Sequence, residues 1–416
     1  MICVRKNTVF KIFILVCALH TNVYSMNLLR PYDILVRPPF TGSHTWQVAA
    51  YAEGGVGTHA FNTSGDSVNP LRIWNVEQNA LAMLDGFNPN SEIGQLRTKL
   101  DANDNGTRGH LLFDGNFDVK YAFALAARAM FYEHFTLAVY IPFYSMQLNS
   151  VCWTDLTYGK DDADVRVKEF LTDHLAATVK ELGDLNLTPW SRSGIGDVVF
   201  MIEWLKNFKQ HKPFLKNVLL NARLGLGMPT GKRSDPDLLF ALPFGNDGAA
   251  SLIFAFNLDL TFGQYFKAGV DVQLTHVFDQ IRTHRIKTDV DQTELLLLQK
   301  AEVHTDFGMA QQFSLYFDIY KFFGGASFKV GYQYFKQGEN TISLLCNDFN
   351  PNVANTAINL QDYTTHQVYL NAYYDFSEHM EDARVKPYVS FYARLPFNGK
   401  RVVLERMVGT VLAVDF

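Results

Sequence analysis

The stretch Leu252–Phe262, LIFAFNLDLTF, places a large apolar side chain at every second position. Asn257, Asp259 and Thr261 occupy alternate positions in its second half. Neighbouring side chains of a strand point to opposite faces, whereas a helix would spread these residues around its circumference. The stretch therefore predicts a β-strand with one apolar face and one more polar face.

The same alternation recurs along most of the chain after residue 43. Several of the segments exceed the roughly five or six residues usual in a soluble sheet, and they match the ~9–11 tilted residues of a membrane strand. Twelve segments show the pattern: 44–54, 112–131, 135–150, 194–208, 216–228, 248–262, 265–280, 301–318, 322–337, 362–377, 384–397 and 401–416.

The links between these segments alternate in length. Short links lie at Tyr132–His134, Gly263–Gln264 and Ile319–Lys321, with further short ones between segments four and five and between ten and eleven. Asn398–Lys400 is a short link where the pattern predicts a long one. The remaining links are long: 55–111, 151–193, 229–247, 281–300 and 338–361.

Short turns alternating with long outer loops are typical of outer-membrane barrels, and an even strand number puts both termini on the turn side. We therefore predict an all-β fold, a transmembrane antiparallel β-barrel of about twelve strands with long outer loops. A secreted β-sandwich is the alternative, although a sandwich has no reason to keep this alternation.

The first residues predict a secretory signal. Basic residues precede the apolar run 12–19, and Val23-Tyr24-Ser25 suits cleavage after Ser25. We expect 1–25 to be a signal peptide, 26–43 a periplasmic segment or a hatch in the lumen, and 44–416 the barrel. An uncleaved anchor is the alternative, but the run is too short to cross a bilayer as a helix.

The two ends together indicate the outer membrane of a Gram-negative-type bacterium. Phe416 ends an alternating strand, as in chains read by the barrel-assembly machinery. Aromatic residues make up 14% of the chain, the net charge is −5, and no Lys/Arg-rich run appears. Nucleic-acid binding needs a basic patch, so we expect the partners to be the lipid bilayer and small solutes.

Charged residues on the polar faces should point into the lumen, because Lys or Arg facing lipid costs about 2–4 kcal/mol near the midplane. Since both signs occur, they predict a charge-balanced passage without strong ion selectivity. An interior salt-bridge network that fills the barrel is the alternative. The predicted lumen-lining residues are Asp118, Lys120, Arg128, Glu203, Arg223, Asp259, Asp271, Lys329 and Arg394, together with Glu53, Lys267, Asp306 and Asp375.

Other motifs carry weaker signals. Asp101, Asn103 and Asn105 resemble the start of a calcium loop, but Leu112 stands where a bidentate Glu is needed. Cys152 and Cys346 lie in loops on one side, so a disulfide and two free thiols are equally open. Helical spacing predicts loop helices at 167–182 and, more weakly, at 73–84.

A family resemblance rests on glycine-containing motifs. Gly194-Ile-Gly196-Asp197 opens the fourth strand, Pro229-Thr230-Gly231 follows the fifth, and Gly245-Asn-Asp-Gly248 precedes the sixth. This order, over about residues 194–280, resembles the outer-membrane transporter-like family named for the meta-pathway of phenol degradation, which is related to the long-chain fatty-acid channels. The resemblance implies passive uptake of hydrophobic or aromatic molecules, and a lumen hatch formed by the N-terminal segment.

The sequence leaves three functions open. The first is a passive channel for small, hydrophobic or aromatic solutes, which needs no cofactor. The second is a structural or adhesive barrel with a closed lumen. The third, a barrel hydrolase, lacks a Gly-x-Ser-x-Gly motif, and His276 and His366 have no evident serine partner. We expect a channel rather than an enzyme.

Overall fold

The computed structural model describes residues 28–40, 45–56, 59–379 and 384–416. Its main sheet has fourteen strands, of which the two end strands, Gln78–Asn79 and Trp190–Ile195, extend beyond a closed circle of twelve. The circle consists of β1 (Trp46–Val56), β2 (His110–Tyr132), β3 (Phe135–Asp155), β4 (Val199–Lys209), β5 (Leu215–Gly227), β6 (Ser251–Phe262), β7 (Phe266–Val277), β8 (Ala310–Phe323), β9 (Ala326–Gln337), β10 (Tyr363–Asp375), β11 (Lys386–Lys400) and β12 (Arg406–Asp415).

Each strand pairs antiparallel with its neighbours in the chain, and β1 pairs with β12 to close the circle. The register can be followed from strand to strand, for example from Asn221 through Asn257 to Asp271 across β5, β6 and β7. The predicted all-β antiparallel barrel of twelve strands is confirmed. No described helix has the length and apolarity needed to cross a bilayer.

The two faces of the wall differ as the alternation predicts. In β6, Phe254 and Phe256 are exposed on the outer face, while Ser251 and Asn257 are buried on the inner face. The outer face of β7 likewise exposes Val272 and Leu274. An apolar outer band with a polar interior is the pattern of a membrane barrel, in which every backbone group of the wall is paired with a neighbouring strand.

The end of the barrel that carries the short links is called the turn end, and the opposite end the loop end. At the turn end, backbone hydrogen bonds connect neighbouring hairpins: Leu205 N donates to His134 O, Gly263 N to Phe214 O and Tyr320 N to Tyr265 O. The carbonyl of Phe416 accepts from the backbone N–H of Thr45, which places the two ends of the wall together at the turn end.

Several predicted boundaries are wrong. The single strand predicted at 301–318 is two strands in the structure: Lys300–Asp306, which lies outside the barrel wall, and β8. The turn predicted at 319–321 lies at Gly324–Gly325, where both glycines have positive φ. The link predicted at 398–400 belongs to β11, and the chain turns at 401–405 instead. The fourth predicted segment is interrupted at 196–198.

The long loops pack over the loop end. They contain α1 (Glu92–Leu100), α2 (Asp162–Val167), α3 (Leu175–Gly183) and α4 (Pro351–Ala354), and a π-helical turn, Lys168–Thr172, lies between α2 and α3. The helix predicted at 167–182 is therefore present in broken form. The helix predicted at 73–84 is absent; the described residues there form 3₁₀ turns at Pro70–Arg72 and Ala82–Leu84 with a short strand between them.

A second, three-stranded sheet stands above the barrel. It pairs Gln280–Arg285 with Lys300–Asp306, and the latter with Thr341–Leu344. Its buried face carries Val303 and Ile342. Further short strands pair Val402–Val403 with Ala60–Phe61, and Ala60–Phe61 with Ser67–Val68. The remaining 3₁₀ turns are Glu294–Leu296, Ile358–Leu360 and Phe376–His379.

Candidate functional site

Residues 28–40, named here the inner segment, lie inside the barrel. Their backbone carbonyls accept hydrogen bonds from side chains of six different wall strands. The pairs are Tyr144 to Leu29 O (2.7 Å), Arg223 to Tyr32 O (3.0 Å), Lys329 to Ile34 O (3.3 Å), Asn371 to Leu35 O (3.1 Å), Arg128 to Pro38 O (3.2 Å) and Gln47 to Pro39 O (2.9 Å). The segment thus satisfies its backbone with the interior wall, as an irregular chain at membrane depth requires.

Two charged side chains of the inner segment add further contacts. Asp33 accepts from Gln312 Nε2 at 3.1 Å and from Gln333 Nε2 at 2.7 Å. Arg37 forms an ion pair of 2.6 Å with Glu203, and both side chains are buried. Leu35 is completely buried. Full burial of a leucine contributes about 1.5–3 kcal/mol, so polar and apolar contacts together hold the segment.

Three ion-pair groups line the interior around this segment. Arg128 binds Glu203 at 2.8 Å, so that this carboxylate faces two guanidinium groups. Arg223 pairs with Asp271, and Arg394 pairs with Glu53. The three groups contain Arg37, Arg128, Arg223, Arg394, Glu53, Glu203 and Asp271, all of them buried. Charges of both signs therefore stand within the wall in paired form, which is how proteins tolerate buried charge.

Most of the predicted lumen residues lie on the inner face. Arg128, Glu203, Arg223, Asp271 and Arg394 are buried there, as described above. Asp259 accepts a hydrogen bond from the Tyr316 hydroxyl, and Lys329 lies 5.1 Å from the centre of the Tyr316 ring. Their role in permeation stays a prediction. Nearer the turn end, Lys267 stacks on Tyr320, and Asp375 pairs with Lys321 at 3.7 Å.

The inward prediction for Asp118 and Lys120 is wrong because β2 contains a bulge. The register with β3 shifts between Val119 and Tyr121. An extra residue reverses the faces beyond it, so Phe117 and Val119 are buried while Lys120 is exposed. Asp118 shares the outer face and accepts from Gln147 Nε2 at 3.2 Å. Asp306, also predicted inside, is exposed on the upper sheet.

A cavity of about 410 Å³ lies between the inner segment and the loops, and is named here the chamber. Such a volume suits a small organic ligand, because ligand pockets typically measure about 300–1,000 Å³. Residues 28–32 form its floor, and the loops around 234–247 and 282–297 form its roof. Its lining is largely apolar and includes Leu29, Phe117, Leu239, Phe240, Phe244 and Leu297.

The roof of the chamber carries a small polar group. Arg282 pairs with Asp247 and donates to Ser234 Oγ at 3.1 Å. Burial, together with the neighbouring Arg282, lowers the pKa of His284 to about 3, so its imidazole stays neutral at ordinary pH. Arg285 donates to the carbonyls of Pro236, Leu297, Leu298 and Gly183, which ties three loops into one roof. The lining of the chamber is therefore mainly apolar, with polar side chains at the roof and further ones such as Arg30 and Glu294 elsewhere.

The family-motif residues join the wall where the fourth predicted strand is interrupted. Thr230 Oγ1 donates to Gly196 O and accepts from Val198 N–H, both at 2.9 Å. Asp197 accepts from Gly231 N at 2.9 Å and from Asn246 N at 2.6 Å. A side chain at Gly245 would collide with the Asp197 carboxylate. Pro229 is exposed, and Gly194 lies near Lys232 and Phe244.

The weaker predicted sites receive different partners. Asn105 Oδ1 caps the backbone of Thr107 and Arg108, and Arg108 itself binds the Asn103 carbonyl at 2.7 Å. Asp101 ends α1 in a left-handed conformation. Among the described residues no cluster of acidic, histidine and cysteine side chains suits a metal. Cys152 and Cys346 are both free, so the possible disulfide is not formed. Cys152 is exposed on β3, whereas Cys346 packs against the apolar face of the upper sheet.

The chamber is the site that sequence reasoning missed. Much of its lining comes from loops, whose apolar content carried the only signal. Residues 238–244 read LLFALPF and residues 295–298 read LLLL, although a loop exposed to water should be polar. Apolar runs of this kind indicate a buried loop, but the sequence does not show that these two runs meet.

No family model and no curated protein matches the sequence. Among solved structures, an outer membrane channel from Pseudomonas putida F1 is 13% identical, with 94% of this chain and 100% of that chain covered and a TM-score of 0.49. The Pseudomonas putida toluene transporter TodX is 8% identical, with 94% of each chain covered and a TM-score of 0.35. The CymD monoaromatic hydrocarbon channel is 9% identical, with 90% and 89% covered and a TM-score of 0.29. Likenesses this distant leave the function to be inferred from the chain's own interior, and the family resemblance stays a prediction.

Proposed function

We propose that this barrel is a passive outer-membrane channel for small hydrophobic solutes, with its turn end in the periplasm. The observation that carries the proposal is the chamber, an apolar cavity of about 410 Å³ whose floor is the inner segment. An apolar lining favours solutes that leave water readily, because burial of apolar surface is the main source of their binding free energy. The solute gradient alone drives the flux.

The inner segment sets the condition for passage. It crosses the interior below the chamber and is bound by Arg223, Lys329 and Asn371 through its carbonyls. A solute that has entered the chamber therefore moves on when this segment shifts. A hydrogen bond to a charged group contributes about 1.5–3 kcal/mol net, so these contacts and the Arg37–Glu203 ion pair oppose the shift. The strands of the wall pair with one another, so the segment can move without loss of the wall.

The test is solute uptake by liposomes that contain the full chain. Relative to protein-free liposomes, we expect the protein to accelerate the entry of a small aromatic alcohol more than that of a sugar of similar volume. Leu238→Asp should slow entry of the aromatic solute, because it puts a charge into the chamber lining. Ala241→Phe should do the same by filling the chamber. Equal acceleration of both solutes over protein-free liposomes, or variants that behave like the original protein, would contradict the proposal.

The matched control for Leu238→Asp is Leu345→Asp. Leu345 is an exposed loop leucine outside the chamber lining. The same substitution there should leave the uptake of both solutes unchanged. A loss with Leu345→Asp would point to damaged loops rather than to a changed chamber.

A structural or adhesive barrel with a closed lumen is the second candidate. The observation that favours it is the density of buried contacts around the inner segment, among them the pairs of Arg37 and Arg128 with Glu203. A barrel that excludes both solutes in the uptake test, and conducts no ions in a planar bilayer, would support this candidate. A hydrolase finds no such support, since His366 meets the Tyr332 hydroxyl on the outer face.

A further inference from the structure

The turn between β4 and β5, taken together with the adjoining strand ends as residues 206–216 and named here the basic turn, is rich in lysine. Lys206, Lys209, Lys212 and Lys216 lie within eleven residues, and His211 lies among them. The chain has no acidic residue between Glu203 and Asp235. Among the described residues, none of the four lysines forms an ion pair. Because the lysines are three or four positions apart, they do not form a continuous basic run in the sequence. The hairpin brings the two strand ends together, since Gln210 N donates to Lys216 O at 2.7 Å.

Neighbouring turns do not neutralise this group. The turn between β2 and β3 contributes one carboxylate, Glu133, which offsets only one of the four lysine charges. On the other side, Gly263 donates to Phe214 O at 2.9 Å, and the turn Gly263–Tyr265 has no acidic residue. The basic turn therefore keeps a net positive charge.

Exposed aromatic side chains place the turn at the membrane surface. Phe214 is 80% exposed, and Phe208 and Phe266 are exposed on the same end of the wall. The Lys206 ammonium lies 5.5 Å from the centre of the Phe208 ring, on the outer face of β4. Aromatic rings mark the interface of a barrel with the lipid headgroups, and lysines near them extend toward the headgroup phosphates.

We propose that the turn 206–216 binds the headgroups of anionic glycerophospholipids in the inner leaflet of the outer membrane. Four lysines with no acidic partner complement a phosphate diester whose charge is not balanced within the same lipid. Clusters of basic residues beside a membrane segment attract anionic lipids in this way. This inference rests on the membrane placement proposed above, but not on transport.

The test measures lipid contact at Trp204, which lies on the outer face of β4 two residues before Lys206. The full chain, with Trp46 changed to Phe, is reconstituted with brominated phosphatidylglycerol or brominated phosphatidylcholine, and quenching of tryptophan fluorescence is compared. We expect phosphatidylglycerol to be enriched several-fold at low salt. Changing the four lysines to Gln should bring the ratio close to one, as should high salt.

A matched control changes Lys120, Lys160, Lys232 and Lys400 to Gln, which alters the net charge equally but at or beyond the loop end. This control should keep the preference for phosphatidylglycerol. An equal ratio in the original protein, or an unchanged ratio in the turn variant, overturns the proposal, as does loss of the preference on addition of millimolar inorganic phosphate. If neither lipid quenches Trp204, the membrane placement itself fails.

Discussion

Glu203 lies between two guanidinium groups, Arg37 from the inner segment at 2.6 Å and Arg128 from the wall at 2.8 Å. Through its ion pair with Arg37, this carboxylate binds the inner segment to the barrel wall. Its substitution would leave two buried cations without their partner.

We expect Glu203→Gln to destabilise the barrel by about 3–5 kcal/mol, because breaking a buried ion pair leaves uncompensated charge. Denaturant unfolding in detergent would measure the loss. Glu302→Gln, at an exposed position on the upper sheet, is the control and should change little. A shift for Glu203→Gln no larger than that of the control would show that the cluster is unimportant for stability.

Gly331, which lacks a side chain, leaves the space that Leu35 of the inner segment occupies. A Cβ atom at this position of β9 would lie 2.8 Å from a methyl carbon of Leu35, closer than normal packing allows. Gly331→Leu should therefore displace Leu35, and the amides of residues 28–40 should exchange with solvent faster. Hydrogen exchange with mass spectrometry measures this. Ala372→Leu, on the outer face of β10, is the control; unchanged exchange in Gly331→Leu would mean that the wall yields instead.

At the scale of elements, β2 and β3 extend beyond their neighbours at the loop end. There the first residue of β2, His110, contacts two carboxylates and can change its protonation state. His110 Nδ1 meets Glu77 at 2.9 Å, and Nε2 meets Asp104 at 3.0 Å. Burial alone would lower the pKa of His110, but the hydrogen bonds to Asp104 and Glu77 outweigh it and raise the pKa above its ordinary value. The contact connects the start of β2 to two points of the first long loop, Glu77 and Asp104.

This contact predicts a pH dependence. A histidine whose folded pKa is raised stabilises the loop fully below its unfolded pKa of about 6.5, and the stabilisation is lost as the pH rises through the folded pKa. Limited proteolysis of the loop 77–110 should therefore be slower at pH 6 than at pH 9. His110→Gln should remove most of this difference. A pH effect of the same size in His110→Gln would assign it to other groups.

The alternation of side chains was sufficient to predict the strands, because a wall between lipid and a polar interior imposes a period of two on every strand. It failed at Lys120, where one extra residue reverses the faces without any compositional mark. It also failed near Phe307, where apolar residues continue through the link between two strands. Near Gly324 it failed because β8 continues past the turn predicted at 319–321. The chamber could not be predicted, since it depends on contacts between loops such as 238–244 and 294–297, which are distant in sequence.

At the scale of the whole molecule, a twelve-stranded wall encloses an interior that thirteen residues of its own chain, 28–40, largely occupy. Barrels of this size lie between the filled eight-stranded case and open porins of about sixteen strands. Under the proposed channel function, the inner segment decides how far the interior is open to solutes and ions.

Deletion of residues 28–40 should raise ion conductance in planar bilayers well above that of the original protein. The wall should remain intact, because the deletion removes no strand pairing. Circular dichroism provides the check that the β-structure persists. A deletion variant that keeps its β-structure and conducts no better than the full chain would show that the remaining side chains seal the interior.

The inner segment precedes β1 in the chain, and Gln47 of β1 donates to Pro39 O. The strands of the wall pair with one another and not with the inner segment, so melting of the segment breaks no ladder between strands. The protein thus contains two cooperative units of unequal strength, since small units held by few contacts open at lower free energy than a continuous sheet. On gradual denaturation the interior should hydrate first, while the empty ring persists.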